Sequence, residues 1–257
     1  MDITNTELNL EENFSVFELT TNIKNPKYRL FSLKIDKVVR FLKFNSKLTS
    51  FVVVKGELQI ENSRLTFKKF EGFHLKNFNE FIGLKGSDDC TVLIGSNENI
   101  SIEYSNIESF ENPEDSITQL SDYTVKKPWG YEIWYTQNTN NTPYALKNIH
   151  MEKGFQSSLQ SHEFKSETNV VVIGEAKVLF GKEAPKDISL KIDINELDEK
   201  IYKPFDGWSN KVNELHRVIA YTTYDAIEIS TPELDDVIRW EDDSNRSSGK
   251  IDSEHKN

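Results

Sequence analysis

The sequence predicts an all-β protein built as two β domains in tandem, and three observations carry that expectation. Short β-branched and aromatic runs recur with Gly, Asn, Asp and Ser between them, while helical periodicity is scarce. The pattern lapses into polar, acidic sequence between Gly95 and Val125 and then resumes. The two halves also share a signature, F-V-V-V-K-G-E at 51–57 and N-V-V-V-I-G-E at 169–175, in which Gly-Glu follows an apolar strand. Such a glycine supplies the positive φ of a tight hairpin turn, so its repetition points to internal duplication.

In chain order, the first half predicts strands at 28–35, 38–44, 49–54, 57–60, 65–67, 78–84 and 91–94. A short strand is expected at 100–104, followed by the polar segment N-P-E-D-S at 112–116, which reads as linker. The second half predicts strands at 131–135, 144–151, 168–173, 176–180, 216–221 and 226–230. Residues 186–200 alternate charged residues with Ile and Leu and read as a strand running into a helical turn, an insertion covering a barrel edge. The resulting division is a first domain at 1–110, a linker at 111–125, a second domain at 126–246 and a polar, disordered tail at 247–257.

Composition bounds the function. A chain of 257 residues is long enough for one large or two small cores, and Phe, Tyr and Trp supply bulky material for them. The net charge of −11 argues against nucleic acid and anionic membrane as partners, because both require a positive field. Any phosphorylated ligand must therefore meet local basic residues. The lone Cys90 cannot form an internal disulfide, the first residues carry acids where a signal peptide carries bases, and no apolar run approaches the roughly 20 residues that span a bilayer. The expectation is a soluble cytoplasmic protein.

The richest chemistry lies in G-F-Q-S-S-L-Q-S-H-E-F-K-S-E-T-N-V-V-V-I-G at 154–174, with L-H-R-V at 215–218. Gln160, His162, Glu167 and His216 offer the imidazole nitrogen, carboxylate and amide oxygen that a hard or borderline divalent cation accepts. Gln160 and His162 lie two residues apart, on one face of an extended strand. His150 is opposite in strand parity to Lys147 and Ile149, and His255 lies in the tail, so neither is assigned a role. His74 has no second histidine in its half to complete a site.

The spacing G-x5-Q-x-H-x4-E-x6-G resembles the first motif of the cupin superfamily. With K-P-W-G-Y-E at 127–132 and E-L-D-D-V-I-R-W-E-D-D-S-N-R at 233–246, the chain resembles the cupin domain of type II phosphomannose isomerases and related sugar-phosphate isomerases over roughly 126–246. The resemblance implies two tandem cupin (jelly-roll) barrels. The second would hold one divalent ion (Zn, Mn or Fe) through Gln160, His162, Glu167 and His216. The first, where G-F-H-L-K-N at 72–77 is similar to a second motif, is degenerate and serves packing, homodimerisation or closure of the substrate mouth. Lys165 stands where those isomerases carry arginine and Asn169 where they carry tryptophan, departures that bear on the identity of the sugar.

The resemblance implies a metal-dependent isomerase or epimerase of a phosphorylated or nucleotide-linked sugar, in surface polysaccharide precursor synthesis. An Fe(II) oxygenase using His162, His216 and Glu167 as a facial triad, or a non-catalytic carbohydrate-binding or regulatory cupin, are the alternatives. Lys147, Lys165, Arg217, Arg239 and Arg246 are candidates for the anionic end of the substrate, each otherwise an exposed solubilising charge. Parity places Lys147 toward the barrel interior, and the resemblance favours Arg246 as a catalytic or phosphate-binding side chain. Glu228 is either a buried general acid/base or a solvent-facing strand residue, and Trp129 and Tyr131 either stack on a sugar or belong to the core.

Overall fold

The computed structural model describes residues 2–3, 5–11, 14–23, 27–97, 101–105 and 112–255. The chain divides into two compact units, one of residues 4–120 with 141–144, the other of residues 121–140 and 145–257 with 1–3. Both are β structures, and the helical elements among the described residues are short 3-10 turns.

The unit of residues 4–120 has a seven-stranded and a five-stranded antiparallel sheet. The first runs Thr6–Glu11, Phe14–Glu18, Tyr28–Ile35, Cys90–Asn97, Leu48–Lys55, Gly72–Lys76 and Ile117–Gln119 in spatial order. The second runs Ile102–Ser105, Arg40–Phe44, Ile82–Gly86, Leu58–Ile60 and Thr66–Phe67. Alternate residues of the two sheets share one apolar core containing Phe31, Leu33, Phe44, Phe51, Phe67, Phe73 and Val92. Each such side chain contributes about 1.5–3 kcal/mol by leaving water.

The other unit carries a six-stranded sheet in the order Thr124–Lys127, Gly130–Trp134, Ala145–Met151, Tyr224–Ser230, Glu167–Ile173 and Gly207–Asn210. A three-stranded sheet of Asp198–Tyr202, Ala176–Phe180 and Arg217–Ala220 shares its core through Met151, Val171, Val178, Trp208, Ala220 and Tyr224. A ribbon of Leu159–Ser161 and Ile238–Glu241 completes the unit, packed on a smaller cluster of Leu159, Leu179, Leu197 and Leu215.

The duplication visible in the sequence is also topological. Tyr28–Ile35, Cys90–Asn97, Leu48–Lys55 and Gly72–Lys76 stand in the same spatial order as Ala145–Met151, Tyr224–Ser230, Glu167–Ile173 and Gly207–Asn210. Gly56 and Gly174 end equivalent strands with φ of +73° and +76°. Ser50 Oγ meets His74 Nδ1 at 2.8 Å where Thr168 Oγ1 meets Ser209 Oγ at 2.8 Å, so His74 occupies an inter-strand hydrogen-bonding position. At the positions matching Asn169 and Trp208, Phe51 and Phe73 stack with centroids 4.4 Å apart, and this fills the interior with rings instead of ligands.

Several expectations are revised. The segment 111–125 is not free linker: Ile117–Gln119 pairs with Gly72–Lys76 and Thr124–Lys127 pairs with Gly130–Trp134. Residues 100, 106–111, 256 and 257, parts of the expected strand, first domain, linker and tail, lie outside the described residues. In the 186–200 stretch the order is reversed, a 3-10 turn at Ile194–Glu196 preceding the strand Asp198–Tyr202. The polar segment from 247, expected to be disordered, is anchored by ion pairs and ends its described part in the 3-10 turn Asp252–His255.

Candidate metal centre

Strand register assembles the floor of a cavity. Trp134 lies opposite Lys147, Lys147 opposite Glu228, and Glu228 opposite Asn169, so one row of side chains crosses four adjacent strands. Directly opposed residues on one face of an antiparallel sheet have Cβ atoms about 5 Å apart, close enough for the row to interact throughout. Glu167 stands two residues before Asn169, on the same face, at the start of its strand.

The facing side comes from the ribbon and the turn that follows it. Gln160 bridges to His216 through reciprocal backbone hydrogen bonds of 3.0 and 2.9 Å. The turn 162–165 is shaped by Asp236, whose carboxylate accepts the backbone N–H groups of Glu163 (3.0 Å), Phe164 (2.6 Å) and Lys165 (2.8 Å). Burial works against the Asp236 charge, but these hydrogen bonds outweigh it and hold the carboxyl below its ordinary range. Asp236 thereby brings His162 and Lys165 over Glu167.

Ligand atoms of His162, Glu167 and His216 lie within 4.8 Å of one another, and all three residues are buried. His162 Nδ1 donates to the Asp236 carbonyl and His216 Nδ1 donates to the Glu214 carbonyl at 3.0 Å. A carbonyl only accepts, so both protons reside on Nδ1 and both Nε2 lone pairs turn inward. His216 Nε2 is 3.3 Å from Glu167 Oε1, and His162 Nε2 is 3.6 Å from Glu167 Oε2. His162 Nε2 is a buried polar atom with no hydrogen-bond partner, the feature a cation would satisfy. Burial, then Lys165, pushes the His162 imidazole down to about 3, which keeps it neutral as a ligand must be. Two neutral imidazoles and a carboxylate fit a divalent cation.

Glu167 also receives Asn210 Nδ2 at 2.9 Å and Lys165 Nζ at 2.5 Å. Burial opposes its charge, yet the Lys165 ammonium beside it holds it well below the ordinary carboxylate range. Gln160 stands beside the cluster with its side-chain amide against His216. Its Nε2 lies 3.2 Å from His216 Nε2 and its Oε1 accepts from Ser158 Oγ at 3.0 Å. Because His216 Nε2 is an acceptor, the facing amide presents N–H to it.

The remaining candidates separate into those within the cavity and those outside it. Lys147 and Glu228 are buried in it, with Lys147 Nζ 3.5 Å from Glu228 Oε1 and 3.7 Å from Glu132 Oε2. Lys165, expected at the anionic end, lies instead at the centre, 3.1 Å from Glu228 Oε1. Burial opposes its charge, but Glu167 and Glu228 raise its pKa above the usual lysine value. Arg239, Arg246 and Trp129 line the cavity.

Arg217 and Tyr131 do not line it. Arg217 is one residue past His216, so alternation sends it the other way, where its guanidinium donates to the Glu241 side chain at 3.1 Å and carbonyl at 3.0 Å. Tyr131 stacks on His150 at 4.5 Å, and its neighbours Glu132 and Trp134 face the cavity in its place. The sequence reading also missed Lys127, Glu254 and His255 as cavity residues. Strand alternation does not reach them, because Lys127 sits where the chain turns toward Gly130 and Glu254 and His255 lie in a polar segment without strand periodicity.

A family model described as mannose-6-phosphate isomerase C-terminal matches residues 114–242. No curated protein matches the chain. Among solved structures, an oxalate decarboxylase from Lactobacillus farciminis in a formate complex is similar with a TM-score of 0.64 and 10% identity, over 93% of this chain and 88% of that one. A vicilin from Corylus avellana is similar at a TM-score of 0.61 and 12% identity, over 89% and 84%. Procruciferin, an 11S globulin from Brassica napus, gives a TM-score of 0.60 and 11% identity, also over 89% and 84%. At these identities the solved structures speak for a shared cupin fold alone.

Proposed function

The chain belongs to the mannose-6-phosphate isomerase C-terminal family of cupins, and from that premise we propose that it is a metal-dependent isomerase interconverting aldose and ketose forms of a phosphorylated sugar. The observation that carries this reading is the orphaned Nε2 of His162, turned with His216 Nε2 onto Glu167 at the floor of a cavity that also buries Glu228, Lys147 and Lys165. His162, Glu167 and His216 would hold a divalent cation, which would supply Lewis-acid polarisation of a carbonyl oxygen.

The chain's own residues supply proton transfer. Isomerisation removes the proton from C2 of the open-chain sugar, delivers it to C1, and moves the hydroxyl proton from O2 to O1. Glu228 is the base at carbon. Its Oε1 is buried, with Lys165 and Lys147 Nζ at 3.1 and 3.5 Å but no aligned hydrogen bond, so a lone pair faces the cavity. The two ammonium groups beside it are donors for the oxygens on which the negative charge of the enediolate collects. The family model names mannose 6-phosphate isomerase, but Lys165 and Asn169 depart from the usual motif, so a phosphohexose is the class proposed.

Metal analysis of the purified protein beside His162→Ala and His216→Ala tests the centre, with near-stoichiometric metal expected only in the unaltered protein. A screen of sugar phosphates in deuterated water then tests the reaction through exchange at C2. Metal that persists in both variants, or no exchange with any sugar phosphate, overturns the reading.

A further inference from the structure

An unbroken alternation of charges leads from the metal centre to the segment 246–255. Glu167 pairs with Lys165 (2.5 Å), Lys165 with Glu228 (3.1 Å), Glu228 with Lys147 (3.5 Å), Lys147 with Glu132 (3.7 Å) and Glu132 with Lys127 (3.9 Å). Lys127 Nζ lies 2.8 Å from Glu254 Oε2, whose other oxygen lies 3.1 Å from Arg246 Nη1. Arg246 is in turn held by Asp242 at 2.6 Å. The Lys127, Glu254 and Arg246 side chains are only 9–10% exposed, so these contacts are sheltered from water and salt.

Glu254 is held by a strap. Arg239 Nη1 donates to the carbonyls of Ser247 and Gly249, and Gly249 N donates to the Val237 carbonyl at 2.7 Å. Beyond it, the His255 ring packs edge-on to Trp134 at 5.0 Å and meets Tyr123 Oη at 3.2 Å. Gly249, Lys250, Ile251, Glu254 and His255 form part of the cavity lining. A carboxylate on a segment of the chain itself therefore bridges a lysine and an arginine in the wall of the cavity that holds the candidate metal centre.

Resting on the isomerase reading above, we propose that Lys127 and Arg246 are the subsite for the phosphate monoester of the substrate, and that Glu254 occupies it until the substrate displaces the strap. The exchange is favourable in charge. A phosphate monoester brings about −1.5 to −2 and three acceptor oxygens where Glu254 brings one negative charge and two oxygens. Asp242 and Glu132 stay in place when Glu254 leaves, so the bases remain oriented.

Titration calorimetry with inorganic phosphate, on metal-free protein, tests the subsite without the reaction. Glu254→Gln removes the competing charge at constant shape and is expected to bind phosphate at least tenfold more tightly than the unaltered protein. Adding Lys127→Met to it should abolish that binding. Equal affinity of the unaltered protein and Glu254→Gln, or a double variant that binds like Glu254→Gln, overturns the proposal.

A second measurement needs no variant. Saturating phosphate should speed tryptic cleavage after Lys250 in the unaltered protein, and an unchanged rate also overturns the proposal. Both readouts are separate from metal content and C2 exchange, so failure of the subsite is distinguishable from failure of the isomerase reading.

Discussion

Lys165 Nζ lies 2.5 Å from Glu167 Oε2, which puts a buried ammonium against the only carboxylate among the three clustered ligands. Glu167 therefore has a compensating charge even without a cation, and Glu228 shares the same ammonium. Replacing Lys165 by Met leaves buried Glu167 without its ammonium partner and Glu228 with Lys147 alone. Losing one partner of such a pair costs about 3–5 kcal/mol, because the other is left buried and uncompensated. Urea melts of metal-free Lys165→Met should show a loss of that order, partly recovered on adding a divalent ion, which supplies the missing charge. Equal stability of the two proteins would count against the charge alternation as a structural element.

Glu228→Gln separates chemistry from metal binding. The substitution keeps the shape of the side chain and touches no clustered ligand atom, so metal content should equal that of the unaltered protein. Loss of a positioned base lowers turnover by about 10²–10⁴-fold. Exchange at C2 should fall by the same factor, while His162→Ala loses metal and exchange together. Full exchange in Glu228→Gln would remove it as the base.

Glu132 gives the fold a definite acid dependence. Burial works against its charge, but Lys147, Lys127 and the Trp134 indole N–H at 2.7 Å outweigh it and hold its carboxyl down at about 2. The folded value is lower than the unfolded one, so the unfolded chain binds the proton more readily. Stability is thus fully present above the unfolded value of about 4.5 and lost as pH falls toward 2, on the order of 3 kcal/mol in all. Denaturation of Glu132→Gln should be flatter over that interval. Parallel pH profiles would show that the site takes no part in acid unfolding.

The fold class and the metal cluster were legible because each rests on local sequence. The apolar runs before Gly56 and Gly174 mark equivalent strands, and the motif from Gly154 to Gly174 places His162 and Glu167 at the two ends of one short turn. Lys147 was legible by parity against Ile149, and both line the cavity. Tyr131 was not, because a short strand with aromatics at successive positions does not declare its inner face. That face is set by pairing with Ala145–Met151, where Trp134 meets Lys147. Gly207–Asn210, G-W-S-N, carries almost no β signal of its own and is a strand because it pairs with Glu167–Ile173. The strap was hidden for a different reason. Its composition is that of a disordered tail, and what orders Glu254 is a lysine 127 residues away in sequence.

The paired glycines allow the cost of a turn conformation to be separated from the cost of close approach. Gly56→Ala and Gly174→Ala both place a Cβ on a residue at positive φ, which costs about 1 kcal/mol. At Gly56 the new atom meets the Ser87 hydroxyl at 2.6 Å, a flexible group that can turn aside, and the Cys90 Cα only at 3.0 Å. At Gly174 it meets the Thr223 carbonyl oxygen at 2.0 Å, and the backbone itself must shift. Thr223 immediately precedes the strand Tyr224–Ser230 that carries Glu228, and Gly174 immediately follows the strand that begins with Glu167. Gly174→Ala should therefore destabilise by several-fold more than Gly56→Ala in thermal melts and should also weaken metal retention against a chelator. Similar melting shifts for the two variants, with metal retained in both, would show that the Thr223 carbonyl yields without disturbing the centre.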